Sequence, residues 1–216
     1  MILIIQGSGG LGRETMELAK YNNEKNNKYE DILFCDDWAS NTKNGVKIYS
    51  YDYIKKNIDS KSCKFVIAVG EPRIRKKEYY LKINDGFDFD NLIHCDIYIP
   101  PSVNLGKGNI VFNYVCISPN VVMNDNIIIY PLCSINHDVI IGSHSVVCSM
   151  VALTGGVQIG NSTFLGVNSS VKQRVCVGND VIVGMGANVI NDVEDNHIVY
   201  GNPAKAYYNL NKKTVF

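Results

Sequence analysis

From Leu105 onward an aliphatic residue or Met recurs at every sixth position without a slip: Val111, Ile117, Met123, Ile129, Ile135, Ile141, Val147, Leu153, Ile159, Leu165, Val171, Val177, Val183, Val189. Four residues behind each member runs a second small or apolar series, from Val115, Val121 and Ile127 to Val181, Ala187 and Val193. Gly often follows the first series, as at Gly106, Gly142, Gly160, Gly166, Gly178 and Gly184. A period of six fits neither a helix nor one long strand. It predicts a solenoid of short strands and tight corners, a β-helix over about residues 96–216, whose coils bury their apolar faces only by stacking.

The pattern before residue 95 is different. Ile2 to Gln6 reads as a buried strand and runs into Gly7-Ser8-Gly9-Gly10-Leu11-Gly12, after which Arg13 to Lys20 reads as a helix. Asp31 to Cys35 predicts a second strand ending in Asp36-Asp37, and Lys64 to Val69 a third ending in Gly70. Helices are expected at Tyr51 to Asn57 and Pro72 to Asn84. This is an α/β, Rossmann-like unit over residues 1–95. Gly7, Gly9 and Gly12 match G-x-G-x-x-G in its strand-turn-helix setting, where bare backbone and a helix N-terminus suit a phosphate. Dinucleotides need two mononucleotide halves. With about three strands ahead of the solenoid, one nucleotide is the better fit than NAD. Asp36 and Asp37, at a strand's carboxyl end, are placed to meet its base or ribose.

Composition narrows the field. Basic and acidic residues balance at 21 each, so no nucleic-acid or membrane-surface partner is implied. No apolar run approaches the roughly 20 residues of a bilayer span. Met1 to Ile5 lacks a basic lead and meets Gly7 at once, which is not the pattern of a signal peptide. Seven cysteines without CxxC spacing read as reduced thiols in a cytoplasmic protein. The aromatic and basic tail from Tyr207 to Phe216 is expected to cap the open end of the solenoid, since bare strand edges invite aggregation.

The repeat resembles the left-handed parallel β-helix of hexapeptide acyltransferases, in which three hexads form one triangular coil and positions 18 apart stack. Together with GxGGxGRE (Gly7 to Glu14), Asp36-Asp37, Ala68-Val69-Gly70-Glu71-Pro72-Arg73-Ile74-Arg75 and Leu92-Ile93-His94, the whole chain resembles bacterial sugar acetyltransferases of the PglD/NeuD type. Many relatives carry His where this chain has Leu11. The resemblance implies that the small domain holds a nucleotide-sugar through Gly7, Ser8, Gly9, Gly10, Asp36, Asp37, Gly70 and Arg73, and that the solenoid holds acetyl-coenzyme A. It also implies a homotrimer with coenzyme between neighbours.

The corner Ser134-Ile135-Asn136-His137-Asp138 carries the chemistry. Stacking by 18 sets Thr154, Gly155 and Gly156 beside His137 and Asp138, and the missing side chains leave room for a thioester. An imidazole suits proton removal from an attacking amine at neutral pH, and a neighbouring carboxylate orients it. Gly184 and the Gly201-Asn202-Pro203-Ala204-Lys205 segment resemble the family's coenzyme contacts, giving Pro203 and Lys205 that role. His144 reads as a solvated corner residue. No two of His94, His137, His144 and His197 lie a multiple of 18 apart, so no zinc site is expected. The expected activity is acetyl transfer to the amine of a nucleotide-linked amino-sugar, a 4-amino-4,6-dideoxyhexose, with O-acetylation of a sialic acid or related hydroxyl as the alternative.

Overall fold

The computed structural model describes residues 1–39 and 42–208. A twisted sheet opens the chain: β1 (Ile2–Gln6), α1 (Gly10–Asn26), β2 (Asp31–Cys35), β3 (Thr42–Lys43), β4 (Val46–Tyr49), α2 (Tyr51–Asn57), β5 (Cys63–Ile67), α3 (Pro72–Asn84) and β6 (Asp88–Phe89). The strand order is β3-β4-β2-β1-β5-β6, parallel except for the β3–β4 pair. The sheet therefore has more than the three strands expected. The missed β3 and β6 are two residues each and β4 alternates without deep burial, so none carries a strong apolar signal. The order reverses between β1 and β5, and the glycine loop sits at that switch point, where open α/β sheets take ligands.

β7 (Leu92–Ile93) pairs with Ile110–Val111, so the chain has entered the solenoid before residue 96. The expected left-handed parallel β-helix follows. Two-residue strands stack in register 18 residues apart on three faces. The docked face carries Ile110–Val111, Ile128–Ile129, Val146–Val147, Phe164–Leu165 and Ile182–Val183. The second face carries Cys116–Ile117, Ser134–Ile135, Ala152–Leu153, Ser170–Val171 and Asn188–Val189. The third carries Asn104–Leu105, Val122–Met123, Ile140–Ile141, Gln158–Ile159 and Cys176–Val177.

Both six-residue series point inward, and from Val111 to Val193 every member is buried. Each such Val, Ile or Leu is worth roughly 1.5–3 kcal/mol relative to exposure. Two of the polar members are satisfied locally: the Ser145 hydroxyl donates to the Gly160 carbonyl at 2.8 Å and that of Thr163 to Gly178 at 2.7 Å, whereas the buried Ser169 hydroxyl has no hydrogen-bond partner among the described residues. At each corner one residue takes the left-handed conformation, every sixth position from Gly108 to Gly186.

On the docked face the outward residues Ile110, Ile128 and Val146 are buried too, against Leu3, Met16, Leu18 and Leu92. The two domains are locked by Arg75, which is fully buried. Its guanidinium donates to the carbonyls of Ile67 and Val69 in its own domain, and to the Asn126 carbonyl (2.8 Å) and side-chain oxygen (2.7 Å) in the solenoid. Asn126 in turn contacts His144 Nδ1 at 3.0 Å. His144 is not solvated, as its corner position suggested, but 2% exposed beneath the rings of Tyr79 and Tyr80. The expected cap formed by the C-terminal tail falls largely on residues 209–216, outside the described residues.

Candidate active site

The solenoid corner places His137 and Asp138 as the stacking rule requires. His137 Nδ1 lies 2.8 Å from Asp138 Oδ2, and both side chains are more than half exposed. The other carboxylate oxygen accepts from Asn120 Nδ2 at 3.0 Å, one coil away. The hydrogen bond to His137, then that from Asn120, holds the Asp138 carboxyl below its usual range. With Nδ1 engaged by the carboxylate, Nε2 is the nitrogen left to take a proton.

Gly155 is buried beneath the ring: a Cβ there would stand 2.5 Å from His137 Cε1 and 2.6 Å from Nε2. Gly156 is left-handed (φ 70°), and its N–H donates to the His137 carbonyl at 2.9 Å. That N–H anchors the corner and is therefore not free for an oxyanion. The Thr154 hydroxyl donates to the Val171 carbonyl at 2.7 Å. Cys148, on the same coil as this corner's glycines, has its thiol pushed up to about 12 by burial, the opposite of an activated nucleophile.

Gly184 lies on the other edge of the second face, its N–H bonded to the Val199 carbonyl at 2.7 Å. Pro203 and Lys205 are exposed in the turn and strand that follow His197–Tyr200. Ala204 between them is tied to Asn188 at the end of the second face. Gly184 and this segment thus lie at the far edge and the last strand of the second face, whereas Gly155 and Gly156 lie against His137 itself.

In the small domain, Gly7 (φ 96°) and Gly12 are structural: a Cβ on Gly7 would meet the Ala68 carbonyl at 2.9 Å, and one on Gly12 the Gly7 carbonyl at 2.2 Å. Gly9 and Gly10 face open space. Asp36 Oδ2 accepts from the Ser8 N–H (2.8 Å) and hydroxyl (2.6 Å), and Oδ1 from the Trp38 N–H (3.0 Å). Burial alone would raise the Asp36 carboxyl, but these hydrogen bonds outweigh it and hold it below its usual value. Asp37 accepts from the Tyr51 N–H at 2.7 Å and so fixes the start of α2. Gly70 follows β5 at the same end of the sheet. Arg73 lies 3.7 Å from Asp180 of the solenoid. The groove between the domains, a cleft of about 620 Å³, is lined by Arg13 and Glu14 from the end of the GxGGxGRE run, by His94 of the Leu92-Ile93-His94 run, and by Phe112, Tyr130 and Ser149 of the solenoid. Only the docking of the two domains creates it.

A Rossmann-like domain docked on a hexapeptide β-helix is the architecture this chain shares with acetyl-CoA-dependent sugar N-acetyltransferases. Residues 2–80 match the PglD N-terminal domain family, and the resemblance to the PglD/NeuD type is borne out in both domains. No curated protein matches the chain in sequence. The acetyltransferase domain of PglB from Neisseria gonorrhoeae FA1090, in complex with acetyl coenzyme A, is 28% identical over 95% of this chain and 98% of its own, with a TM-score of 0.89. PerB from Caulobacter crescentus, in complex with CoA and GDP-perosamine, is 28% identical over 96% and 97%, with a TM-score of 0.87. WeeI from Acinetobacter baumannii AYE is 25% identical over 96% and 100%, with a TM-score of 0.68. Among the described residues no helix is long and apolar enough to cross a membrane, and all seven cysteines are unpaired.

Proposed function

We propose that the chain transfers acetyl from acetyl-CoA to the amino group of a nucleotide-linked amino-sugar, a 4-amino-4,6-dideoxyhexose. The observation that carries this reading is the His137–Asp138 pair, 2.8 Å apart over the bare backbone of Gly155. The sugar amine attacks the thioester carbonyl while His137 Nε2 takes its proton. Asp138 orients the ring and stabilises the imidazolium. The tetrahedral intermediate collapses with cleavage of the C–S bond, and the proton passes to the departing CoA sulfur. The relatives seen with acetyl coenzyme A and with GDP-perosamine support an N-linked product.

The working unit in this reading is a trimer whose sites form between subunits. The interdomain cleft opens at the corner of Pro131 and Ser149, whereas His137 stands at the next corner. From Leu132 to His137 the chain crosses the second face, roughly 15 Å at strand rise. A neighbour's His137 therefore suits the cleft better than the chain's own. Tyr114, Leu132 and Met150 stack at that cleft corner, each left-handed and exposed (76%, 57% and 47%). Asn or Gly would meet the backbone geometry at less cost, and bulky apolar side chains in water there suit a subunit contact. The test is release of free CoA thiol with acetyl-CoA and a panel of UDP-, dTDP-, GDP- and CMP-linked amino-sugars. Turnover with one amino-sugar, and none with its hydroxyl counterpart, supports the reading; no turnover with any overturns it.

A further inference from the structure

We propose that Trp38 is the stacking wall for the nucleobase of the acceptor, an inference that rests on the nucleotide-sugar reading above. Trp38 is the only tryptophan in the chain and is 98% exposed. A lone exposed apolar side chain needs no explanation by itself; this one is distinguished by how its backbone is held. Asp36 spends one carboxylate oxygen on the Trp38 N–H at 3.0 Å and the other on the N–H and hydroxyl of Ser8. One carboxylate thus ties the turn that carries the indole to the glycine loop.

The two segments lie at the carboxyl ends of adjacent parallel strands, β2 and β1, beside the switch point. Gly9 and Gly10, with open space where a Cβ would be, supply the approach for phosphates at the start of α1. A nucleotide with its phosphates on this loop has its base one strand over, on the side of Asp36 and Trp38. An indole face gives such a base what it cannot get from the carboxylates: stacking area and exclusion of water. Because every base has a π-face, this contact adds affinity without choosing the base. Asp36 is held by Ser8 and Trp38 and Asp37 by Tyr51, so both acidic side chains of the turn already serve its geometry, and the indole is the turn's uncommitted surface.

The single tryptophan makes the test direct. GDP, UDP, dTDP and CMP are titrated into the full-length protein by calorimetry and by indole emission. The expected result is saturable quenching by at least one nucleotide, with the same Kd by both methods. Trp38→Ala should bind that nucleotide roughly 10-fold or more weakly, and Trp38→Phe within a few-fold of wild type. Inorganic pyrophosphate, which has no base, should bind wild type and Trp38→Ala alike. Nucleotide binding of equal strength in wild type and Trp38→Ala overturns the role of Trp38 and leaves the loop reading intact. So does an equal loss of pyrophosphate binding, which would make the effect one of loop structure. No binding of any nucleotide overturns both.

Discussion

The imidazole of His137 lies where a side chain on Gly155 would stand, with Nε2 2.6 Å from the place a Cβ would take. The glycine is thus a positioning residue, one coil above the base it seats. Gly155→Ala should swing the ring off the corner while leaving the coil's ladder unchanged. A displacement of about 1 Å can cost about 100-fold in rate, so kcat should fall by roughly 10-fold or more with the melting temperature nearly unmoved. Wild-type kcat in a folded Gly155→Ala protein would show that the ring's seat is not the catalytic one.

Direct replacement of the pair separates base from orienter. His137→Ala should lower kcat by roughly 100-fold or more. Asp138→Asn should lower it less, because the imidazole keeps its place at the corner but loses the carboxylate that orients it. Asp138 is held below the usual carboxylate range by His137 and Asn120, so it stays charged through neutral pH. Wild-type kcat in a folded Asp138→Asn protein would remove the carboxylate from the mechanism.

The glycines of the loop predict opposite outcomes a few residues apart. Gly9 has φ −68° and nothing within 4 Å of where a Cβ would stand, so Gly9→Val should fold, occupy the approach to α1 and raise the KM for the nucleotide-sugar with the KM for acetyl-CoA unchanged. Gly12→Ala would drive a methyl to 2.2 Å from the Gly7 carbonyl and should cost stability instead. Equal acceptor KM values for wild type and Gly9→Val would place the phosphates elsewhere.

The solenoid was legible because its geometry repeats: a coil that stacks every 18 residues must place the same class of residue inward each time, and Val111 to Val189 do so without exception. The corners were less legible. Of the fourteen left-handed corner positions from Gly108 to Gly186, eight are Gly, Asn or Asp, whereas others, among them Leu132, Met150 and Arg174, carry no turn signature. Arg75 sits in the basic run Arg73-Ile74-Arg75-Lys76-Lys77, and nothing within the run singles it out for burial. Its burial depends on Asn126, 51 residues away, and on how two domains dock, which no local pattern encodes. His144 and the interdomain cleft were hidden for the same reason.

Burial, with Arg75 and Lys76 adding positive charge, pushes the His144 imidazole down to about 4 from its ordinary 6.5. The folded state therefore holds it neutral while the unfolded chain takes up a proton. Its contribution is whole above pH 6.5 and is lost as pH falls toward 4, by up to roughly 3 kcal/mol. Denaturant midpoints measured across that range should fall in the wild type. They should fall less steeply in His144→Gln, which keeps hydrogen-bonding capacity but cannot titrate. Equal slopes in the two proteins would assign the acid sensitivity to other groups.

The separation of cleft and base within one chain yields the sharpest test of the trimer. Light scattering should give three times the 24.0 kDa chain mass, and Leu132→Asp with Met150→Asp should reduce it by charging the exposed corner column. At acceptor concentrations well below the raised KM, Gly9→Val and His137→Ala chains are each expected to run far below wild type, one for a weakened acceptor site and the other for want of a base. When co-expressed, hybrid trimers place the intact cleft of a His137→Ala chain beside the intact His137 of a Gly9→Val neighbour, so activity should return to a fraction of wild type. If each site were built within a single chain, no mixture would recover, because every chain would still lack one half. Hybrid trimers verified by differential tagging and found inactive would therefore overturn the shared site while leaving the chemistry of His137 untouched.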